Sequence, residues 1–120
     1  MDYAQLLQQV QAAAALDRES AERVLLATTM TLAERLSRHE LTLLCVRLPE
    51  ELQVALAAGS PTWRPFDPDE FVGRVAERLG AQPQAAWTQV RAVLGTLDRE
   101  VAELEALRQR LPREFGALMA

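Results

Sequence analysis

The sequence predicts an all-α fold of about eight helices, arranged as two tandem four-helix repeats that pack as one compact, bundle-like domain. Three observations support this fold class. Apolar residues recur at spacings of three and four, helix-capping residues stand where those patterns begin, and the phrase LPEEL at residues 48–52 returns as LPREF at residues 111–115. The chain has 120 residues, of which 49% are hydrophobic, which is enough to bury a single core.

The two phrases belong to a longer repeat that divides the chain into residues 1–58 and 67–120, joined by a linker at residues 59–66. An offset of 65 aligns apolar residues of the first helices: Leu6 with Phe71, Leu7 with Val72 and Val10 with Val75. From the third segment onward the offset is 63, which aligns Leu41, Leu44 and Leu48 with Leu104, Leu107 and Leu111. Because neither half can bury its apolar face alone, we expect one domain over residues 1–120.

The first helix of each half has a recognisable start. It follows Asp2 in the first half and Asp67 in the second, where DPDE places an N-cap aspartate, a proline at the first helical position and Glu70 at the third. Gly80 is expected to end the second of these helices in a left-handed conformation.

The second helix of each half is the longest, over residues 18–36 and 83–101. At 1.5 Å per residue it is about 28 Å long, enough to span a small domain. Its apolar stripe has spacings of three and four, which place every member on one face. The stripe consists of Ala21, Leu25, Thr28, Leu32 and Leu36 in the first half, and of Ala86, Val90, Val93, Leu97 and Val101 in the second. This helix should be the spine of each half.

The third and fourth helices are predicted from a capping box and from the repeated proline. Ser37 and Glu40 stand three apart ahead of the apolar run LTLLCVRL, as a capping box requires. Pro49 and Pro112 then break one helix and begin the next, because proline is tolerated in a helix's first turn and disfavours helical angles in the residue before it. LPEEL and LPREF therefore represent the same corner in the two halves.

These segments, in this order, resemble the bacterial domain-of-unknown-function family twenty-two sixty-seven (DUF2267). The matching pieces are DYAQLLQQV with DPDEFVGRVAERLG, AERVLLATTMTLAERL with AAWTQVRAVLGTL, and the two LP phrases. The resemblance covers essentially the whole chain and implies an all-helical fold with two repeats, but it brings no established activity and no catalytic residues. The chain departs from the family pattern at Trp87, since that position and its counterpart Glu22 are typically charged.

Composition argues against several classes of function. The formal net charge is −4 and the arginines are interspersed with acids, so no basic face for nucleic acid is expected. The N-terminus has no basic region of a signal peptide, and no apolar stretch reaches the roughly 20 residues of a membrane span. Cys45 is the only cysteine, so a disulfide within the chain is impossible and a cytoplasmic location is expected.

Two residues have reactive side chains that could serve in catalysis or metal binding. His39 could act as a general base or metal ligand beside Glu40, but no companion ligands or nucleophile are spelled nearby, and a first-turn histidine is expected to be solvated. Cys45 could be a redox thiol, although in LTLLCVRL we expect a small buried hydrophobic residue.

Two groups of acids could bind a hard cation, Glu50 with Glu51 and Asp67 with Asp69 and Glu70. No calcium-loop pattern accompanies them. Acids in the first turn of a helix interact favourably with its positive end, and this explains both groups more simply.

Five residues form the predicted interaction surface: Trp63, Arg64 and Phe66 in the linker, and Trp87 and Arg91 on the second spine. Trp87 lies one step off the apolar stripe, and Arg91 follows it at helical spacing. Tryptophan and arginine on a partly exposed surface favour a binding hot spot. In the alternative, Trp63 and Phe66 fold back to cover the seam between the halves.

The sequence favours a non-enzymatic helical module that acts through an unknown protein partner or through self-association. It contains no phosphate loop, metal-ligand spacing, catalytic triad or glycine-rich cofactor turn, so no cofactor is expected. The first alternative is a small-ligand carrier that holds a hydrophobic or acidic molecule between the two repeats. The second is a metalloenzyme that recruits His39, Glu40 and distant acids.

Overall fold

A computed structural model describes residues 2–59 and 66–100, and in these ranges the chain is all-α, with six helices and no strand. The helices are α1 Tyr3–Ala14, α2 Arg18–Arg35, α3 Arg38–Cys45, α4 Glu50–Ala58, α5 Pro68–Leu79 and α6 Pro83–Glu100. The all-α prediction is therefore confirmed. The count of about eight helices in two four-helix repeats is not confirmed, because the third and fourth helices predicted for the second half lie outside the described residues.

The helix bounds follow the offset found in the sequence. α5 begins and ends 65 residues after α1, and α6 begins and ends 65 residues after α2. The residues that end α1 and α5 also correspond, since Ala15 has φ 55° and Gly80 has φ 65°, both left-handed. Gly80 adopts this conformation freely, as predicted, whereas the alanine of the first half does so at a cost of about 1–2 kcal/mol.

α2 is the central helix of the described structure. It packs against α1, α4, α5 and α6, while α6 packs against α1, α5 and α2. The predicted apolar stripes face this core. Their buried members, each at most 6% exposed, are Ala21, Leu25, Thr28, Leu32, Leu36, Ala86, Val90, Val93 and Leu97. The stripe predictions are confirmed for these residues, and Val101 lies outside the described ranges.

Side chains cap most of the helices at their N-termini. The carboxylates of Asp2, Asp17 and Asp67 each accept a hydrogen bond from the backbone N–H three residues later, at 2.7–2.8 Å. The backbone N–H and the side-chain hydroxyl of Ser20 lower the pKa of Asp17, because their hydrogen bonds favour the ionised carboxylate. The capping box of Ser37 and Glu40 is present in both directions, so both predicted starts, at α3 and α5, are confirmed.

The LPEEL corner joins α3 to α4. Pro49 is the N-cap residue of α4, with an extended backbone, and Leu48 before it is buried. The Gln53 side-chain amide donates to the carbonyl oxygens of Cys45 at 2.9 Å and Leu48 at 3.1 Å, and the Cys45 oxygen also accepts from the N–H of Leu48 at 3.2 Å. The corner predicted at Pro112 lies outside the described residues.

The end of α4 crosses α2 at a glycine. A Cβ atom on Gly59 would overlap the carbonyl oxygen of Met30 and lie 2.8 Å from the Cβ of Ala33. Gly73, inside α5, is the opposite case, because nothing lies within 4 Å of a Cβ placed there. Close packing, and not backbone angle, requires glycine at position 59.

These two glycines predict stability changes of opposite sign. Gly59→Ala should lower the free energy of unfolding by about 1–3 kcal/mol, because α4 must move away from α2. Gly73→Ala should raise it by about 0.5–1 kcal/mol, because alanine favours the helix and meets no neighbour. Urea unfolding monitored by circular dichroism measures both, and a stable Gly59→Ala variant would contradict the described crossing.

Three threonines of α2 are buried, and the hydroxyl of one of them has no partner among the described residues. Thr29 donates to the carbonyl oxygen of Leu25 at 2.7 Å, and Thr31 donates to that of Ala27 at 2.8 Å. The hydroxyl of Thr28 is buried and makes no hydrogen bond within the described structure. Valine occupies the corresponding position 93 in the second half.

We expect Thr28→Val to raise the free energy of unfolding by about 1 kcal/mol, because it removes an unpaired buried hydroxyl while keeping the shape of the side chain. Thr29→Val is the matched control, since it removes a hydroxyl that does have an acceptor, and it should not stabilise. Thermal unfolding of both variants tests this, and equal effects would refute the distinction between the two hydroxyls.

Candidate functional site

An open cavity of about 500 Å³ lies between α2 and α5, lined by Glu34, Arg74, Glu77 and Arg78. Glu34 comes from the last turn of α2. The other three residues belong to α5, where spacings of three and four place them on one face. We call this the acid–arginine cavity, and its lining residues come from both halves of the chain.

Glu34 is the most buried charged residue of the cavity, with a side chain only 8% exposed. Arg78 binds both of its carboxylate oxygens, with Nη2 at 2.6 Å from Oε2 and Nη1 at 3.0 Å from Oε1. Arg74 Nη1 approaches Oε1 at 3.4 Å, and Arg78 Nη1 also donates to the hydroxyl of Thr31 at 2.9 Å. A bidentate guanidinium pairing of this kind compensates for burial of the carboxylate.

The guanidinium of Arg74 is held in place from two sides. Its Nε donates to Glu70 at 3.0 Å and its Nη2 forms a close ion pair with the same carboxylate. Its Cζ lies 3.9 Å from the centroid of the Phe66 ring, which is a cation–π contact. Arg35 donates from Nε to the carbonyl oxygen of Phe66 at 3.0 Å, so α2 fixes the position of this ring as well.

The cavity has no counterpart in the other half of the repeat. α1 packs against α6 much as α5 packs against α2, but the offset of 65 places Arg99, Gln9 and Ala13 at the positions of Glu34, Arg74 and Arg78. In the second half the hydroxyl of Thr96 accepts from Arg99 of its own helix, at 3.4 Å. The two-half packing therefore does not by itself require the acid–arginine pairing.

The arrangement is suited to binding. Guanidinium groups stay protonated at physiological pH and present several N–H donors in a fixed plane.

His39 is exposed in the first turn of α3, as expected, and the Cys45 thiol is free and half-buried, less buried than the sequence suggested. Across residues 2–59 and 66–100, no three histidine, cysteine or acidic side chains are grouped to hold a metal ion.

The acid groups singled out in the sequence serve the helix starts. Glu50 and Glu51 lie in the first turn of α4, and Asp69 and Glu70 in the first turn of α5, all exposed. Asp67 is the N-cap of α5. These positions match the simpler explanation by the helix dipole.

A comparison with protein families places the chain. The family model described as "Uncharacterized conserved protein (DUF2267)" matches residues 3–118, nearly the full length. The chain belongs to the DUF2267 family. This confirms the resemblance drawn from the repeated segments, and the family description names no activity. A comparison with curated proteins finds no match.

The predicted surface of this DUF2267 chain is only partly described. Trp87 is half-buried and packs against the core, and Arg91 is exposed one turn further along α6. Phe66 is buried at 6% exposed, next to Phe71, so it follows the alternative in which the linker ring folds inward. Trp63 and Arg64 lie outside the described residues.

Trp87 and its counterpart Glu22 have different surroundings in the two halves of the repeat. In the first half, the hydroxyl of Tyr3 donates to Glu22 at 2.7 Å, and burial together with this bond raises the pKa of Tyr3 above its usual range. The second half has Pro68 and Trp87 at the corresponding positions. Apolar contact with the core therefore replaces a hydrogen-bonded pair.

A second surface, formed by exposed apolar side chains, was not predicted from the sequence. On α3 and α4, Val46 is 70% exposed, Val54 is 65% exposed and Leu43 is 39% exposed. We call these three residues the α3–α4 apolar surface. At the offset of 63, the second half has Ala106, Gln109 and Ala117 in their place, so it carries smaller or polar side chains there. The run LTLLCVRL is apolar around more than one helix face, and this pattern could have indicated that some of its apolar side chains are exposed.

None of the helices in the described part of the chain combines the length and apolar character that a membrane crossing requires.

The pairing of Glu34 predicts a large effect on stability. Glu34→Gln should lower the free energy of unfolding by about 1.5–3 kcal/mol, because it weakens charge-assisted hydrogen bonds to two arginines in a buried position. Glu70→Gln is the matched control. It changes an exposed pair within one helix and should change stability by less than about 1 kcal/mol.

Chemical unfolding of the wild type and of both variants measures the difference. Equal losses for the two changes would contradict the assignment of Glu34 as the buried partner.

Proposed function

We propose that this DUF2267 protein is a non-enzymatic protein-interaction module that associates through the α3–α4 apolar surface. The exposure of Leu43, Val46 and Val54 is the observation that supports the proposal. Burying a valine or leucine side chain contributes about 1.5–3 kcal/mol, and two of these three side chains keep most of that contribution available for a partner. The expected cytoplasmic location remains part of the proposal.

We commit to a second copy of the chain as the partner. Arg38 is exposed two turns before Val46, and Glu50 and Glu51 are exposed one turn before Val54. Under two-fold symmetry, a surface with both charge signs around an apolar centre can place arginine opposite glutamate. Stable interfaces bury about 800 Å² on each partner, so three apolar side chains favour a weak dimer, with a dissociation constant in roughly the micromolar to millimolar range.

Trp87 and Arg91 remain a second proposed contact. The partly buried ring of Trp87 and the exposed guanidinium of Arg91 lie four residues apart on α6, hence on one face. This combination is enriched at the energetic centres of interfaces.

The small-ligand carrier is the second candidate function, and the acid–arginine cavity favours it. The cavity lies between α2 and α5, which belong to different halves, and two guanidinium groups line it, as an acidic ligand would need. Native mass spectrometry of protein purified under mild conditions tests this candidate. Extra mass on the chain supports it, and a bare chain that also binds none of the charged small molecules added in titration opposes it.

The double substitution Val46→Lys with Val54→Lys should abolish self-association without loss of stability. Lysine at position 46 lies at the C-terminal end of α3, and lysine at position 54 lies four residues after Glu50, so both additions are favourable for their helices. Each lysine also makes a chain of net charge −4 less negative, which reduces repulsion between copies. A loss of association would therefore result from the lost apolar contact and not from added net charge.

Sedimentation velocity over a range of concentrations tests this expectation. The wild type should sediment faster as concentration rises, and the double variant should remain monomeric. Gln8→Lys with Ala13→Lys, at exposed positions of α1, is the charge-matched control and should associate like the wild type. A monomeric wild type, or an associating Val46→Lys/Val54→Lys variant, would refute the proposed surface.

A further inference from the structure

We infer that the acid–arginine cavity binds a small zwitterion, with its carboxylate on Arg74 and Arg78 and its ammonium group on Glu77. This inference rests on the carrier candidate and not on the interaction surface. A volume of about 500 Å³ lies within the range of roughly 300–1,000 Å³ that small-molecule sites occupy.

Arg78 offers donors that its structural role leaves unused. Its hydrogen bonds to Glu34 and Thr31 come from Nη1 and Nη2. Its Nε–H makes no hydrogen bond with any of the residues in 2–59 and 66–100, and its side chain is 26% exposed. The buried Glu34 carboxylate thus orients one edge of the guanidinium while another edge stays available.

Arg74 can exchange its outer partner. Its bond to Glu70 is an exposed contact within one helix, since the Glu70 side chain is 51% exposed, and such pairs contribute little to stability. A ligand carboxylate can therefore replace Glu70. The guanidinium stays in place during that exchange, because the Phe66 ring packs against it and Glu34 binds its Nη1.

Charge balance selects a zwitterion over a simple anion. Among the described residues, two arginines and two glutamates line the cavity, and their formal charges sum to zero. Glu77 is exposed, and its carboxylate forms no hydrogen bond or ion pair with the described residues. A ligand that is only an anion would meet this carboxylate unfavourably, whereas an amino acid can place its ammonium group there.

The lining residues are particular to this side of the molecule. Glu77, Arg74 and Arg78 correspond by the offset of 65 to Ala12, Gln9 and Ala13, all on α1. The equivalent face of α1 therefore has neither the guanidinium groups nor the carboxylate. The repeated packing of the two halves explains the helices but not these side chains.

The test is an NMR titration with L-alanine, using the arginine Nε–Hε resonances as the readout. Acetate and ethylammonium, the two charged halves of that ligand, are added separately at matched ionic strength. We expect saturable shifts of the Arg74 and Arg78 resonances with L-alanine, with a dissociation constant on the order of 1 mM, and at least tenfold weaker binding of either half.

Glu77→Gln is the discriminating variant, because it removes an exposed carboxylate that supports no described contact. It should weaken L-alanine binding about tenfold while leaving or improving acetate binding. Asp69→Asn, in the first turn of α5, is the control for the loss of one negative charge, and it should leave the titration unchanged.

The two levels of the proposal fail in different ways. No saturable shift with L-alanine, or equal binding of acetate that Glu77→Gln does not alter, overturns the zwitterion inference. If native mass spectrometry nevertheless shows a copurifying molecule, the carrier candidate stands with another ligand. A bare chain in that experiment, together with a flat titration, refutes both.

Discussion

The enclosure of α2 is the constraint on which the rest of the structure depends. Four helices pack around it, so most of its circumference is buried, and ten of its 18 residues are inaccessible to solvent. A helix in this position must present small or branched side chains in several directions. Its polar groups must also find partners inside the protein, because water cannot reach them.

Three of the four buried polar residues of α2 satisfy this requirement, in two ways, and the hydroxyl of Thr28 is the exception. Thr29 and Thr31 donate to carbonyl oxygens of their own helix, and the second half repeats the latter bond between Thr96 and Ala92. Glu34 cannot be satisfied locally and depends on Arg74 and Arg78 of α5. The attachment of α5 to α2 is therefore electrostatic as well as apolar, and the acid–arginine cavity is a consequence of burying a carboxylate at this contact.

Local signals made the helices predictable. Caps such as Asp67 and Ser37, the left-handed Gly80 and the stripe from Ala21 to Leu36 each depend on residues within one or two turns, so they can be read directly along the chain. The burial of Glu34 could not be read in this way. A single stripe assigns one face of α2 to the core, and only the packing of α5 on another face, set by tertiary contacts, encloses the carboxylate.

The surfaces show the same limit. An apolar run at residues 41–48 predicts a helix but not which of its sides remains exposed, so Leu43 and Val46 were not distinguished from buried Leu44. Comparing the two halves separates residues that serve the fold from candidates for function, a distinction that hydrophobic periodicity does not make. Features present in both halves, such as the stripes and the threonine bonds, serve the fold. By contrast, Glu34 with its arginines, the apolar side chains at positions 43, 46 and 54, and Trp87 differ from the residues with which the repeat aligns them in the sequence, so they are the candidates for function.

Amide hydrogen exchange measured by NMR tests the central place of α2 most directly. If four packed helices enclose it, the amides in the middle of α2 should exchange only through global unfolding, so that their protection free energy equals the unfolding free energy obtained with denaturant. Amides of α3, whose outer side is exposed, should exchange through local opening at a lower free energy. Exchange of the central α2 amides at a free energy equal to or below that of α3 would contradict this account of the fold.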